Sequence, residues 1–211
     1  MAPRAYNTET RRQQQAELKQ RIAAAAAELH AQKGALATSY AEIAARAGVS
    51  VPTMYKHFPD LNELVRACSG HVAQQAPAFP VDPILAAPDL ASAATTLVEA
   101  KDRLNAHFEP WMSWREQDRI PVLVENAERQ RQQLTELCAA LLQRHIGPGK
   151  HDKAAVAWES LLGFDLWHRL VRTHGLSRAA VRAMLIQLLL AVAGPQPASR
   201  SSPRPTSRSS K

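Results

Sequence analysis

The sequence predicts an all-α protein, with a small N-terminal domain followed by a larger helical one. Apolar residues recur at helical spacing along most of the chain, no segment shows a convincing strand pattern, and glycine or proline clusters separate the helical segments. We expect three regions: residues 1–60, residues 61–193, and a disordered basic tail over 194–211. A chain of 211 residues with 45% hydrophobic content is long enough to bury a core.

The net charge of +7 lies at the two ends of the chain. Residues 1–60 carry eight basic and five acidic side chains, residues 61–193 carry fourteen of each, and residues 194–211 carry four basic and no acidic ones. A basic N-terminal region suits contact with a polyphosphate such as DNA, because neutralised phosphates release counterions. The neutral middle suits a body that binds a ligand or a partner.

Several classes of protein are not expected. The longest apolar run, Met184 to Ala193, is short for a bilayer and is interrupted by Gln187. The N-terminus has no apolar segment typical of a secretory signal. Two cysteines, Cys68 and Cys138, are more typical of buried small side chains than of a disulfide framework, and a cytoplasmic location is expected.

The N-terminal region begins with an expected flexible arm over residues 1–10, followed by a long helix from Thr10 to about Lys33 that Gly34 ends. Two short helices follow. Ser39 and Glu42 form the first helix's capping box, Gly48 ends that helix, and Ser50 caps the second. Pro52 falls in the second helix's first turn, where a missing N–H costs little. The apolar face of the pair comprises Ile43, Ala44, Ala47, Val49, Met54 and Phe58.

This spacing is typical of a helix-turn-helix, in which the second helix is free to enter a DNA major groove. A small helical hairpin of another kind fits the same spacing. The stretch also resembles the DNA-binding domain of the tetracycline-repressor (TetR) family of transcriptional regulators. The resemblance covers about a quarter of the chain. The residues in register with the family pattern are Ser39, Ile43, Ala44, Ala47, Gly48, Val49, Ser50, Tyr55 and Phe58.

The resemblance implies a DNA-binding surface formed by Ser50, Val51, Pro52, Thr53, Tyr55, Lys56 and His57. Tyr55, Lys56 and His57 would meet phosphates, and Val51, Pro52 and Thr53 would reach base edges, with apolar contact suited to thymine methyl groups. One departure matters. The family often has a lysine shortly after the phenylalanine, whereas this chain has Pro59, Asp60 and Leu61, and its next basic residue is Arg66.

Further helices are predicted along residues 61–193, at Leu61 to about Gln75, Asp89 to about His107, Pro121 to about Ile146, Lys153–Thr173 and Ser177–Ala193. Four prolines between Pro77 and Pro88 predict a connecting loop without helix. Glu109 to Arg115 is expected to be a short aromatic segment. Gly147-Pro148-Gly149 and His174-Gly175 separate the later helices.

The last two predicted helices carry wide apolar faces. Burial within one subunit explains one face of each helix, and pairing with a second copy in a four-helix bundle explains the excess. In the family that this chain resembles, the final two long helices form the dimer interface. The resemblance therefore implies a homodimer.

Aromatic and polar residues of the middle helices are candidates for a ligand pocket. The set comprises His107, Phe108, Trp111, Trp114, Cys138, Trp158 and His168. Mostly apolar walls with a few polar groups are typical of such sites. For any single one of these residues, burial in the core is the simpler explanation, but the aromatic group Phe108–Trp114 beside Pro110 is denser than a core needs and favours a pocket.

No catalytic motif occurs, so an enzyme is not expected, and no cofactor or metal is expected either. His145, His151 and Asp152 straddle a glycine-rich loop and are interpreted as loop residues. We interpret the chain as a ligand-responsive regulator, expected to repress, that binds a palindromic operator as a homodimer and responds to an apolar or aromatic effector. A small-molecule carrier or enzyme on the same fold, without operator binding, is the alternative, and an activator remains open.

Overall fold

The computed structural model describes residues 4–194, with side chains from residue 9 onward. The predicted tail over 194–211 therefore lies outside the described residues, apart from Gly194. All regular secondary structure among the described residues is helical, with no strand, which confirms the all-α prediction. Its helices are α1 (Arg4–Lys33), α2 (Tyr40–Ala47), α3 (Val51–His57), α4 (Leu61–Gln74), α5 (Val81–Leu85), α6 (Leu90–Met112), α7 (Pro121–Ile146), α8 (Asp152–Leu161), α9 (Phe164–His168) and α10 (Arg178–Ala193).

Helix α1 is longer than predicted. It begins at Arg4, so the expected arm over residues 1–10 is wrong from residue 4 onward. The first turns carry arginine and glutamine, which favour helix even without an apolar face. Further along, Ile22, Ala26 and His30 lie one turn apart and are buried. This inner face is what α2 and α4 pack against.

The local signals in α2 and α3 are confirmed. The Ser39 side chain accepts the Glu42 N–H, and the Glu42 carboxylate accepts the Ser39 N–H in return. Gly48 has φ 65° and ψ 41°, the left-handed conformation that ends α2. The Ser50 side chain accepts the Thr53 N–H at the start of α3. These caps fix where the two helices begin and therefore the angle between them.

Two hydrophobic clusters form the interior. The N-terminal cluster joins α1–α4 and includes Leu64, Val65, Cys68 and Val72 of α4 together with Ile120 and Val122 at the start of α7. The C-terminal cluster joins α5–α10 around Trp158 and Trp167. Helix α4 thus contributes its inner face to the N-terminal core. The domain boundary after residue 60 stays a prediction.

Two proline-containing segments differ from the sequence prediction. The loop expected between Pro77 and Pro88 contains α5, where Pro83 is the third helical residue. Proline is tolerated there because first-turn N–H groups have no partner within the helix. Helix α6 continues through Pro110 to Met112 instead of ending at His107. Pro110 lies in the last turn, and the ladder resumes with a hydrogen bond from the Ser113 N–H to the Glu109 carbonyl, at 3.0 Å.

The helix predicted over Lys153–Thr173 is broken. Helix α8 ends at Leu161, and α9 begins at Phe164 after Gly163, which adopts extended dihedral angles. A π-helical turn, Arg169–Thr173, then extends α9. Within residues 4–194, no helix has both the length and the hydrophobicity needed to cross a membrane.

Asp102 connects three helices of the C-terminal region. It is 3% exposed and accepts hydrogen bonds from Trp167 Nε1 at 2.8 Å, from Arg178 and from Arg182 Nη1 at 2.8 Å. Burial alone would raise the pKa of Asp102, but the bonds from these three side chains outweigh it and hold the pKa below its usual value. The carboxylate is therefore ionised at neutral pH and ties α6 to α9 and α10.

Asp102→Asn should lower the free energy of unfolding at pH 7 by about 2 kcal/mol, because the hydrogen bonds from Arg178 and Arg182 lose their charged acceptor. Since the folded-state pKa of Asp102 is depressed, its stabilisation is present above the unfolded-state pKa and is lost as the pH falls below about 4. Urea denaturation across this range should show the difference between variant and wild type shrinking toward acid. Asp118→Asn, on the surface, is the control. A pH-independent difference would contradict the ionic account.

Candidate functional site

The predicted DNA-binding residues lie on the outer side of α3 and its cap. Val51 is 37% and Tyr55 53% exposed, and Ser50, Pro52 and Lys56 are exposed as well. Thr53 and His57 are half-buried at the edges of this surface. Met54 faces inward and is fully buried. Helix α3 therefore has one anchored face and one face open to a partner.

Contacts with α2 hold the side chains of α3 in place. The Tyr55 ring packs on the ring of Tyr40, with centroids 4.7 Å apart. The hydroxyls of Ser50 and Thr53 lie 2.8 Å apart within hydrogen-bond reach. Tyr55 can thus present its hydroxyl while its ring is fixed, whereas the Thr53 hydroxyl shares its hydrogen-bonding capacity with the cap.

Polar contacts attach α2 firmly to α1. Arg21 Nε donates to the Ala47 carbonyl at 3.0 Å, Arg46 pairs with Glu28 at 2.6 Å, and Lys33 pairs with Glu42 at 2.5 Å. The hydrogen bond from Lys33, with those from Ser39, lowers the pKa of Glu42 to about 2. These contacts join both ends of α2 to α1.

Asp60 stands close to the place of the family lysine. Its carboxylate accepts the Glu63 N–H at 2.9 Å and caps α4. Basic side chains nearby come from other positions: Lys19 of α1 and Arg66 of α4 line a shallow groove beside His57. Lys19 Nζ lies 5.9 Å from the centroid of the Phe58 ring. The sequence pattern did not single out Lys19.

A cavity of about 480 Å³ lies between α1, α4, α6 and the start of α7. Its apolar lining includes Val65, Val72, Phe108, Trp111, Met112 and Leu123. Its polar lining includes His30, Arg66, Glu116, Asn126, Arg129 and Gln130. This size and composition are typical of sites for small molecules.

The structure brings two of the seven sequence-predicted ligand residues, Phe108 and Trp111, to this cavity. His107 lies behind the lining, with Nε2 at 3.1 Å from the Val72 carbonyl. Cys138 and Trp158 are fully buried in the C-terminal core instead, where Trp158 Nε1 donates to the Leu189 carbonyl. His168 lies beside Glu109, with its Nε2 atom 3.8 Å from Glu109 Oε1.

Trp114, the seventh predicted ligand residue, is 43% exposed and covers Gly34 at the end of α1. Its Nε1 donates to the Ala31 carbonyl at 3.2 Å. Trp111 Nε1 makes a similar bond to the Ala27 carbonyl at 2.8 Å. The two indoles thus fasten the end of α6 to the last turns of α1.

Glu116 completes this attachment. Its two carboxylate oxygens accept the N–H groups of Ala35 at 2.7 Å and Leu36 at 2.9 Å. Gly34, with φ +85°, lets the carboxylate approach, since a Cβ there would lie 2.7 Å from Glu116 Oε1. We name Trp111, Trp114 and Glu116 together the α1 clamp. Sequence reasoning missed Glu116, because no spacing pattern joins it to residues eighty positions earlier.

His30 was also missed. It continues the buried face of α1, one turn after Ala26, and is 4% exposed. Burial lowers its pKa to about 4, although the charge of Glu116 opposes this shift. The imidazole is therefore neutral at pH 7. A histidine at a core position of an amphipathic helix was the signal available in the sequence.

The other titratable candidates form no site. Within residues 4–194, no group of three or more histidine, cysteine, aspartate or glutamate side chains has the arrangement to hold a metal ion. His151 instead lies 2.8 Å from the Gly147 carbonyl. Burial raises the pKa of both Cys68 and Cys138 to about 12, so both thiols are protonated and unreactive.

The segment that builds the helix-turn-helix also matches a known family. Residues 22–68, from the second half of α1 into α4, match the family model described as bacterial regulatory proteins, tetR family. Over these residues the chain carries the DNA-binding helix-turn-helix of tetR-family transcriptional regulators, as its sequence predicted. Comparison with curated protein sequences gives no match.

Solved structures of transcriptional regulators share the fold over most of the chain. A tetR-family transcriptional regulator from Streptomyces coelicolor has 17% identity and a TM-score of 0.65, over 83% of this chain and 80% of that one. A transcriptional regulator from Saccharomonospora viridis in complex with choline has 20% identity and a TM-score of 0.63, over 83% and 96%. NalD of Pseudomonas aeruginosa, the secondary repressor of the MexAB-OprM multidrug efflux pump, has 21% identity and a TM-score of 0.64, over 84% and 97%.

Glu116→Gln should lower the free energy of unfolding by about 1–2 kcal/mol, because one of two backbone N–H groups loses its acceptor. Urea denaturation measures the change. Glu125→Gln, on the exposed side of α7, removes the same charge without touching α1 and should be neutral. Equal stability of the two variants would show that the Glu116 contacts do not hold the end of α1.

Proposed function

We propose that this tetR-family protein is a ligand-responsive repressor that binds a palindromic operator as a homodimer and releases it when a small molecule enters the cavity. One observation carries the proposal. The exposed face of α3 is joined rigidly through α2 to α1, and the last turns of α1 are held by residues that also line the cavity. The effector site and the DNA-binding surface therefore share one helix.

The α1 clamp supports a response to ligand. Trp111 and Glu116 belong both to the cavity wall and to the α1 clamp. A molecule that displaces either side chain would therefore change the position of α1. A ligand shifts an equilibrium only through different contacts in the two states, and the clamp offers such a difference. That a structural neighbour was solved with choline supports a small-molecule site on this fold.

One stripe of α10 supports dimerisation. The exposed residues of this stripe recur at helical spacing and are Ala180, Ala183, Leu188, Ala191 and Val192. The side chains of Leu188 and Val192 are 40% and 41% exposed. Gln187 is the polar residue among them, and the stripe carries no charge. Val156 on α8, 54% exposed, adds to this apolar surface. Small and apolar side chains of this kind suit close packing of two copies about a two-fold axis.

A two-fold dimer would present two copies of α3 to DNA. Helix-turn-helix dimers read half-sites about one helical turn apart, which is the basis for expecting a palindromic operator. Repression is the simplest consequence of occupying a promoter, and the structural neighbour NalD is a repressor. The same geometry would serve an activator, and a reporter assay with and without the gene distinguishes the two.

A carrier or enzyme that kept the fold without operator binding is the second candidate. The acidic Asp60 near the place of the family lysine favours it, because an acid there repels phosphate. A gel shift with the DNA upstream of the gene separates the two functions. Absence of any binding by the wild-type protein would make the second candidate the leading one.

Tyr55→Phe should weaken binding to all DNA sequences alike, because its hydroxyl is placed for a phosphate and phosphates carry no sequence information. Fluorescence anisotropy with operator and with unrelated DNA measures both affinities. Tyr40→Phe is the matched control, since its hydroxyl is buried and has no hydrogen-bond partner among the described residues.

Thr53→Ala should instead relax the preference at one base pair of each half-site, by about 1–3 kcal/mol. Binding to a set of single-base operator variants measures this change. If both Thr53→Ala and Tyr55→Phe bind like wild type, the recognition surface lies elsewhere than on α3.

Leu188→Glu should convert the dimer to monomers, because a charge would be buried at the interface without a partner. Size-exclusion chromatography with light scattering reports the mass. Val124→Glu places the same charge at an equally exposed valine on α7 and should leave the dimer intact. A Leu188→Glu variant that stays dimeric would move the interface to another surface.

A further inference from the structure

His30 is one of the residues that line the cavity, and one of its ring nitrogens has no hydrogen-bond partner among the described residues. The side chain is 4% exposed, and its Nε2 atom has no hydrogen-bond partner among the described residues. Buried polar atoms in folded proteins are nearly always paired, so an exception at a cavity wall points to a group supplied from outside the chain. The residue belongs to α1, the helix that carries the DNA-binding surface.

The hydrogen bonds around His30 indicate whether Nε2 acts as a donor or as an acceptor. Its Nδ1 lies 3.5 Å from Cys68 Sγ, and Cys68 donates its own hydrogen to the Val65 carbonyl at 3.3 Å. The thiol has one hydrogen, and with that hydrogen directed at the Val65 carbonyl we take Nδ1 as the donor to sulfur. Because the imidazole is neutral, its single hydrogen is then on Nδ1. Nε2 therefore carries a lone pair that requires an O–H or N–H donor.

The charges around the cavity favour an anion. Arg66 and Arg129 are exposed at its rim, and neither forms an ion pair within residues 4–194. The acidic lining residue, Glu116, already accepts two backbone N–H groups. The walls between these groups are apolar and include the rings of Phe108 and Trp111.

We propose that the cavity binds an aromatic anion bearing a hydroxyl or N–H group, which donates to His30 Nε2 while the anionic group meets Arg66 and Arg129. This inference rests on the proposed ligand response, whose effector it specifies by class. The ligand contacts α1 directly through His30, in addition to the contacts of the α1 clamp. An organic cation held by Phe108, Trp111 and Glu116 is the competing class.

The test compares four probes by isothermal titration calorimetry at pH 7, without DNA. They are 6-hydroxy-2-naphthoate, its methyl ether, 2-naphthol, and benzyltrimethylammonium as the cation. The hydroxynaphthoate should bind about tenfold more tightly than its methyl ether, which cannot donate to Nε2. It should also bind more tightly than 2-naphthol, which lacks the anionic group.

Two pairs of variants assign the contacts. His30→Phe should abolish the preference for the hydroxyl over the methyl ether, whereas His71→Phe, on α4 outside the cavity lining, should keep it. Arg129→Gln should weaken both naphthoates about threefold and leave 2-naphthol unchanged. Arg131→Gln, two residues along α7 and outside the lining, should change none of these affinities.

Nitrogen-15 NMR of wild-type protein tests the same contact without a substitution, in case His30→Phe does not fold. Nε2 should be unprotonated in the free protein, and its signal should move with the hydroxynaphthoate and stay with the methyl ether. A protonated Nε2, equal affinity for the two naphthoates, no binding of the hydroxynaphthoate at millimolar concentration, or tighter binding of the cation would each overturn the proposal. If the preference is found but the probe never releases DNA in a gel shift, the inference stands and the proposed ligand response fails.

Discussion

The fixed position of α1 is the constraint on which the rest of the structure depends. Its inner face forms the core with α2 and α4, and its last turns are held from outside by the α1 clamp, which belongs to α6 and the segment after it. Indole and carboxylate groups bond to backbone atoms here, so they fix the position of the chain itself. The DNA-binding helices inherit that position, because Arg21, Arg46 and Lys33 attach α2 to the same helix.

The contacts between the α1 clamp and the last turns of α1 are polar. Apolar packing is largely insensitive to direction, whereas hydrogen bonds fail when the partners move by a fraction of their length. The Glu116 bonds to Ala35 and Leu36 therefore favour one position of α1 over its neighbours. In the proposed function, a small molecule in the cavity at this junction would compete with those bonds, and this local change would alter the position of the DNA-binding helices.

The C-terminal region uses polar groups differently. Asp102 accepts hydrogen bonds from Trp167, Arg178 and Arg182 and joins α6, α9 and α10, and none of these four residues lines the cavity. Helices α6, α9 and α10, held together in this way, would form a fixed support for the residues of the α1 clamp. The apolar stripe of α10 lies on the far side of the same helix from its buried Val181 and Leu185, so a second copy could pack there without disturbing the core.

The sequence by itself determined the all-α class, the caps and turn of α2 and α3, and most helix ends, because these depend on neighbours within a few residues. Ser39, Gly48 and Ser50 act locally and could be read directly. Helix α6 running through Pro110 could not, since packing of the whole helix outweighs one lost hydrogen bond, and α5 could not, since Pro83 lies in its first turn, where the missing N–H has no partner within the helix. The cavity was decided by tertiary structure alone: it joins His30 to Glu116 across eighty-six positions, and buried aromatic residues such as Trp158 look the same in sequence as those lining a pocket. Contacts between residues that are far apart in the chain produce no periodic pattern in the sequence, so the sequence alone does not predict them.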